Sequence, residues 1–104
     1  MIKIGNIELP DPVLLAPMTG VSDLPFRKLV KSFGCGMVVS EMIASHAMIL
    51  KKQNALRMAQ HEAGESPKVV QLAGCDPEIM GEAAKLNADM GADIIDINFG
   101  CPVK

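Results

Sequence analysis

Residues 68–98, KVVQLAGCDPEIMGEAAKLNADMGADIIDIN, read as strand, helix and strand in one uninterrupted sweep. The first apolar run, KVVQLAG at 68–74, has the length and β-branched content of a strand buried on both faces. Asp76 and Pro77 then open a helix, the acid as N-cap and the proline at the first helical position, and Ile79, Ala83, Leu86 and Met90 recur at the spacing of one helix face. Gly91 stops the helix, and ADIIDIN at 92–98 is the next buried strand. Such a βαβ unit brings its two strands into parallel pairing through a right-handed crossover.

The same pattern extends towards the N-terminus. VLLA at 13–16 is a short buried strand, and SDLPFRKLVKSFG at 22–34 is a helix with Ser22 or Asp23 as cap, Phe26, Leu29, Val30 and Phe33 as its apolar stripe, and Gly34 beyond its last turn. MVVS at 37–40 is a further strand, followed by a helix over about 47–60 and the loop HEAGESP. At the front, IKIGNIEL at 2–9 alternates around Gly5 and Asn6 as a β-hairpin, closed by Pro10, Asp11 and Pro12. The order is a hairpin, then four strands alternating with three helices.

A doubly wound open sheet and a (β/α)8 barrel share that order. The strand ends separate them. APMTG follows the first strand, SEM the second, QLAG closes the third and NFGCP follows the fourth, so several successive strand ends contribute polar or unusual residues to one rim, as in a barrel active site. A dinucleotide fold concentrates its glycines in the first turn, and APMTGVSD has no GxGxxG. The fold class read here is α/β, the first half of a (β/α)8 TIM barrel preceded by an N-terminal β-hairpin. A full barrel takes roughly 250 residues, against 104 here. A half-barrel alone leaves two sheet edges open and an apolar layer uncovered, so self-association through those edges is expected.

Composition narrows the function. Hydrophobic residues make up 49% and charged residues 21%, the balance of a soluble globular domain, and aromatics are only 3%, so the core is aliphatic. A net charge of −2 gives no bulk attraction for a polyanion. Cys35, Cys75 and Cys101 are an odd set without CxxC spacing, which reads as reduced thiols. With no signal-like or membrane-spanning apolar segment, the expected location is cytoplasmic. His46 and His61 lack metal-binding spacing, and no metal site is expected.

Cys101 in NFGCP is either a small side chain packed in a turn or a thiol presented by a rigid strand end, with Gly100 admitting a ligand and Pro102 stiffening the exit. A thiol is mainly protonated at neutral pH and can serve as a general acid or a nucleophile. Asn98 and Gln71, at the ends of neighbouring strands, either satisfy loop backbone or together face the edge of a heterocycle such as a flavin or pyrimidine. Ala16, Pro17 and Met18 are a strand end broken by proline or a wall for a flat ring. Glu41 is either a base or a structural group, a cap or a lysine partner, and the structural reading is preferred. Lys51, Lys52 and Arg57 read as a solvated helix face, with phosphate contact the lesser alternative.

Taken together, PVLLAPMTGVSDLPFR, SEM, VVQLAG and DINFGCPVK resemble the tRNA-dihydrouridine synthase family, most closely its bacterial B-type branch. The likeness runs in order along all 104 residues and covers the N-terminal part of the family's chain. It implies an FMN-binding barrel followed by a helical tRNA-binding domain, and NADPH-driven reduction of uridine in tRNA to 5,6-dihydrouridine. The later strands, with a Lys, a His and the phosphate-binding loops, and the tRNA-binding domain are missing from these residues, so the piece by itself is expected to be inactive.

By the same resemblance, Ala16, Pro17, Met18 and Gln71 contact FMN, Asn98 contacts flavin or uracil, and Cys101 is the proton donor. The chemistry of the base agrees. The C5=C6 bond of uracil is conjugated to the C4 carbonyl, so hydride from flavin adds at C6 and a proton must then reach C5. Two other readings remain open. One is another FMN barrel such as a dihydroorotate dehydrogenase; the other is a non-catalytic, associating half-barrel.

Overall fold

Ile2 and Ile4 flank Lys3, and Ile7 and Leu9 flank Glu8, so two short alternating runs face each other across Gly5 and Asn6. The computed structural model describes residues 2–101. In it β1 (Ile2–Ile4) and β2 (Ile7–Leu9) pair antiparallel, Ile2 opposite Leu9 and Ile4 opposite Ile7. Gly5 has a φ of 59°, which a two-residue connection needs at its first position and which glycine adopts without steric cost.

The remaining strands pair in parallel. β3 (Leu14–Leu15) lies beside β4 (Met37–Val38), and β5 (Ile43–Ala44), β6 (Val69–Ala73) and β7 (Ile94–Ile97) form a sheet in that order. Helix α1 (Leu24–Ser32) connects β3 to β4, α2 (Ser45–Ile49) and α3 (Gln53–Met58) lie between β5 and β6, and α4 (Pro77–Asp89) joins β6 to β7. The chain is therefore α/β, with parallel strands and helical crossovers.

β4 and β5 lie on one path with a bulge between them. The Ser40 amide reaches Val69 O at 3.1 Å, and Ile43 is already in register with Leu72. The chain between takes up one extra residue, and the Gln71 amide is met by Ser40 Oγ at 3.0 Å in place of a backbone carbonyl. Ser40 in turn donates to the carbonyl of Glu41.

The faces of β6 carry separate apolar layers, because successive strand residues point to opposite sides. Val70 and Leu72 pack with Ile43, Met48, Ala55, Ala59 and Ala83 on the helix side. Val69 packs on the other side with Leu9, Met37 and Val39, joined by Ile7 and Ile94. Full burial of a leucine is worth about 1.5–3 kcal/mol, so Leu9, wholly buried, anchors the β1–β2 pair against this second face.

Three local expectations are corrected. The run 13–16 forms only the two-residue β3, and Val13 and Leu14 are 64% and 42% exposed; β4 is its sole partner among the described strands, and its faces lack cover. The single helix over 47–60 is two helices, because Lys51 takes a φ of 52° and turns the chain. That conformation costs on the order of 1 kcal/mol for a residue with a side chain, offset as Met48 from one arm and Ala55 from the other reach the same core.

The stripe of α1 does not form the buried face either. Leu29 and Phe33 are exposed, and the buried residue is Arg27. Its guanidinium meets Glu65 Oε2 at 3.1 Å, Ser22 O at 2.9 Å and Gln60 O at 2.8 Å. A fixed fork of donors suits such a site where an aliphatic side chain would leave carbonyls unpaired.

Candidate active site

In a parallel sheet all strands run towards the same rim; 16–18 follow β3, Glu41 and Met42 lie in the bulge between β4 and β5, Asn98 follows β7, and Gln71, expected at a strand end, sits in the middle of β6. The backbone amide of Asn98 continues the ladder to Leu72 O. Its side-chain Oδ1 accepts from the amides of Gly100 at 2.9 Å and Cys101 at 3.0 Å, closing the NFGC loop into a tight turn. Its Nδ2 lies 3.3 Å from each of Gln71 Oε1, Cys101 Sγ and Met42 Sδ. One amide thus links the loop, the thiol, the middle of β6 and the bulge between β4 and β5.

Cys101 is exposed, not packed in the turn. Its sulfur is an acceptor from Asn98, so its own S–H hydrogen is not consumed by that contact. Pro102, expected to stiffen the exit, lies outside the described residues.

Gln71 and Asp96 are register partners on β6 and β7, and share a face with Asn98. Gln71 Nε2 donates to Asp96 Oδ2 at 2.7 Å while Oε1 faces Asn98. Gln71 is 7% exposed, and this pairing leaves one Nε2 hydrogen for a further partner. These polar groups lie one step along the strands from the apolar layer that contains Val69, Ile94 and Leu9.

Ala16, Pro17 and Met18 follow β3. Ala16 and Met18 are exposed and Pro17 is half-buried. Ser22 Oγ accepts from Met18 N at 2.8 Å and donates to Met18 O at 3.1 Å, and Glu41 Oε1 accepts from Gly20 N at 2.7 Å. Asp23, rather than Ser22, caps α1, accepting from Phe26 N. The bulge after β4 links the two halves of the rim: Glu41 turns to the 18–22 loop and Met42 to Asn98.

The other candidates lie elsewhere. His61 holds the backbone, with Nδ1 2.7 Å from Ala59 O and Nε2 3.2 Å from Val69 O. His46, Lys51, Lys52 and Arg57 are exposed on α2, α3 and their connection. Asp76 already satisfies the amides of Glu78 and Ile79 at the start of α4. Gly74 abuts α2 so closely that a Cβ there would collide with Ser45 Oγ. Among the described residues no group of three or more His, Cys, Asp or Glu is placed to hold a metal ion, and no helix is long and apolar enough to cross a membrane. Remote from this rim, on α4, the hydrogen bond to Asp89 and that carboxylate's charge raise the proton affinity of Lys85.

Sequence reasoning placed SEM on the rim but gave Ser40 and Met42 no individual role, and it missed Asp96 as a member of the site. The polar SEM between two apolar stretches and the acid inside ADIIDIN were the available signals. The buried Arg27–Glu65 pair was also missed, as was Glu65 Oε1, which is buried without a partner among the described residues.

A family model described as Dihydrouridine synthase (Dus) matches residues 14–104. The chain is 62% identical over 105 residues to the probable tRNA-dihydrouridine synthase of Rickettsia prowazekii, covering all of this chain and 32% of that protein. Identity is 54% over 104 residues with the probable tRNA-dihydrouridine synthase of Rhodobacter capsulatus, covering 99% of this chain and 32% of that protein. With tRNA-dihydrouridine synthase B of Pseudomonas aeruginosa it is 45% over 104 residues, covering all of this chain and 31% of the relative. The chain spans about a third of the length of the curated relatives it matches.

Proposed function

Because the chain belongs to the dihydrouridine synthase family, we propose that it supplies the first half of a (β/α)8 barrel in an enzyme that reduces uridine in tRNA to 5,6-dihydrouridine. The β1–β2 pair is the leading hairpin, β3, β4/β5, β6 and β7 are the first four barrel strands, and the later strands and a tRNA-binding domain belong to the longer chain. The observation that carries this reading is the cluster of Cys101, Asn98 and Gln71 on one rim. Such a substrate fits a cytoplasmic protein, and with a net charge of −2 these residues leave most RNA contact to the rest of the chain.

The residues present fit a flavin in one respect that is visible here. The exposed Ala16 and Met18 offer an apolar face, and Gln71 keeps one amide hydrogen unspent, so Ala16, Pro17, Met18, Gln71 and Asn98 are the residues that would hold FMN. A bound FMN, reduced by NADPH, would supply the hydride that adds at C6 of uracil. Cys101 donates its thiol proton to C5, and as the sulfur becomes negative the Asn98 Nδ2 donor already facing it stabilises that charge. Asn98 also holds the loop so that the thiol is presented in one geometry.

The test is a full-length protein carrying these residues. It should purify with the absorbance of bound flavin and form dihydrouridine in tRNA with NADPH. A flavin-free protein, or one that reduces a free pyrimidine and leaves tRNA unmodified, would replace this reading with another.

A further inference from the structure

Glu41 is a carboxylate only 8% exposed, and it neither caps a helix nor meets a lysine among its hydrogen bonds. Its Oε1 is spent on the backbone amide of Gly20, 21 residues earlier and at 2.7 Å, among the shortest contacts to a backbone donor on this rim. A carboxylate accepting from an amide is stronger than a neutral acceptor. The loop it grips is already folded on itself. Val21 and Ser22 amides both reach Met18 O at 2.9 and 2.8 Å, and the wholly buried Ser22 clamps both backbone groups of Met18. Arg27 Nη1 holds Ser22 O at 2.9 Å. The loop is therefore fixed at two points, by Arg27 at its end and by Glu41 near its middle.

The apolar residues ahead of that loop have no comparable packing. Ala16 is exposed, Pro17 is half-buried and Met18 is 38% exposed, so burial contributes little to the position of this segment. A wall that must be ordered when a ring binds costs affinity, and one held beforehand does not.

The structure assigns Glu41 the role of a positioning residue: through the Gly20 amide it presets 16–18 as the wall for the planar cofactor, from a bulge whose next residue, Met42, touches Asn98. This rests on the flavin reading above. The side-chain hydrogen bond of Glu41 goes to backbone alone, so the acceptor oxygen carries the role and the charge serves to strengthen that one bond.

The experiment compares Glu41→Ala, Glu41→Gln and Glu41→Asp in the full-length protein. It measures the FMN dissociation constant by flavin fluorescence, the visible flavin spectrum, and amide exchange over residues 18–22 in the flavin-free form. Loss of the acceptor should weaken FMN binding about tenfold and speed exchange over 18–22 by a similar factor. Glu41→Gln, which keeps an acceptor at full reach, should stay within about threefold of the parent, with the spectrum unchanged. Glu41→Asp, one methylene shorter, should resemble the alanine variant and serves if Glu41→Ala fails to fold.

Parent-like binding and exchange in Glu41→Ala or Glu41→Asp would overturn the assignment. So would a Glu41→Gln variant as weak as alanine with a shifted spectrum, since that would place the charge on the ring itself. A parent protein that binds no flavin would remove the flavin reading, and the exchange rates would still decide whether Glu41 holds the loop.

Discussion

Asn98 carries two amide hydrogens and meets three acceptors at 3.3 Å, so the contacts to Gln71, Met42 and Cys101 must share them. Its oxygen has no such freedom, being held by Gly100 and Cys101 amides. Asn98→Ala should release the loop and cut single-turnover uridine reduction in the full-length enzyme about 10²-fold, with flavin binding affected less. Cys101→Ala should keep the flavin absorbance and slow the same step by roughly 10²–10⁴; an unchanged rate would remove the thiol from proton transfer. Cys101, Asn98 and Gln71 were legible because each interrupts or ends an apolar run. Ser40 and Glu41 were not, since their partners, the Gln71 and Gly20 amides, lie 31 and 21 residues away and meet them only through the bulge. Glu65 lies equally beyond local reading. Removing its carboxylate by Glu65→Ala strands a buried guanidinium and should cost about 3–5 kcal/mol in equilibrium unfolding.

Elements with strong local signals appeared where the sequence put them. Helix α4 has its cap, its proline and a regular stripe, and it spans Pro77–Asp89 with Asp76 accepting two amides. Asp76→Ala should therefore lower stability by about 1 kcal/mol, read as a small drop in the denaturation midpoint at constant m-value. Elements that depend on distant partners were harder to read. The α2–α3 break at Lys51 has no glycine or proline to announce it, and the division of one strand into β4 and β5 comes from register against β6. In α1 the amphipathic spacing was present, yet the buried position went to Arg27, because three acceptors from the 22 and 60–65 segments gather there. Periodicity gives a helix and its possible faces; which face is covered depends on what the rest of the chain brings.

At the scale of the whole molecule, the helix-side layer is well covered while the ends of the sheet are open. β3 and β7 each have one partner strand among those described, and Val13, Leu14, Ile97 and Phe99 stand exposed beside them. Produced as these 104 residues alone, the chain should self-associate, and sedimentation should show concentration-dependent oligomers. A monodisperse monomer that unfolds cooperatively would count against that. The parallel order was legible because every connection between the later strands is long enough for a crossover and the strand runs are mainly apolar; the cover on the second face was not, since it comes from Leu9 of the N-terminal pair. That small plug ties the N-terminal pair to the stability of the whole sheet: Leu9→Ala, which would open a cavity beside Met37, Val39 and Val69, should lower the unfolding free energy by about 2–5 kcal/mol.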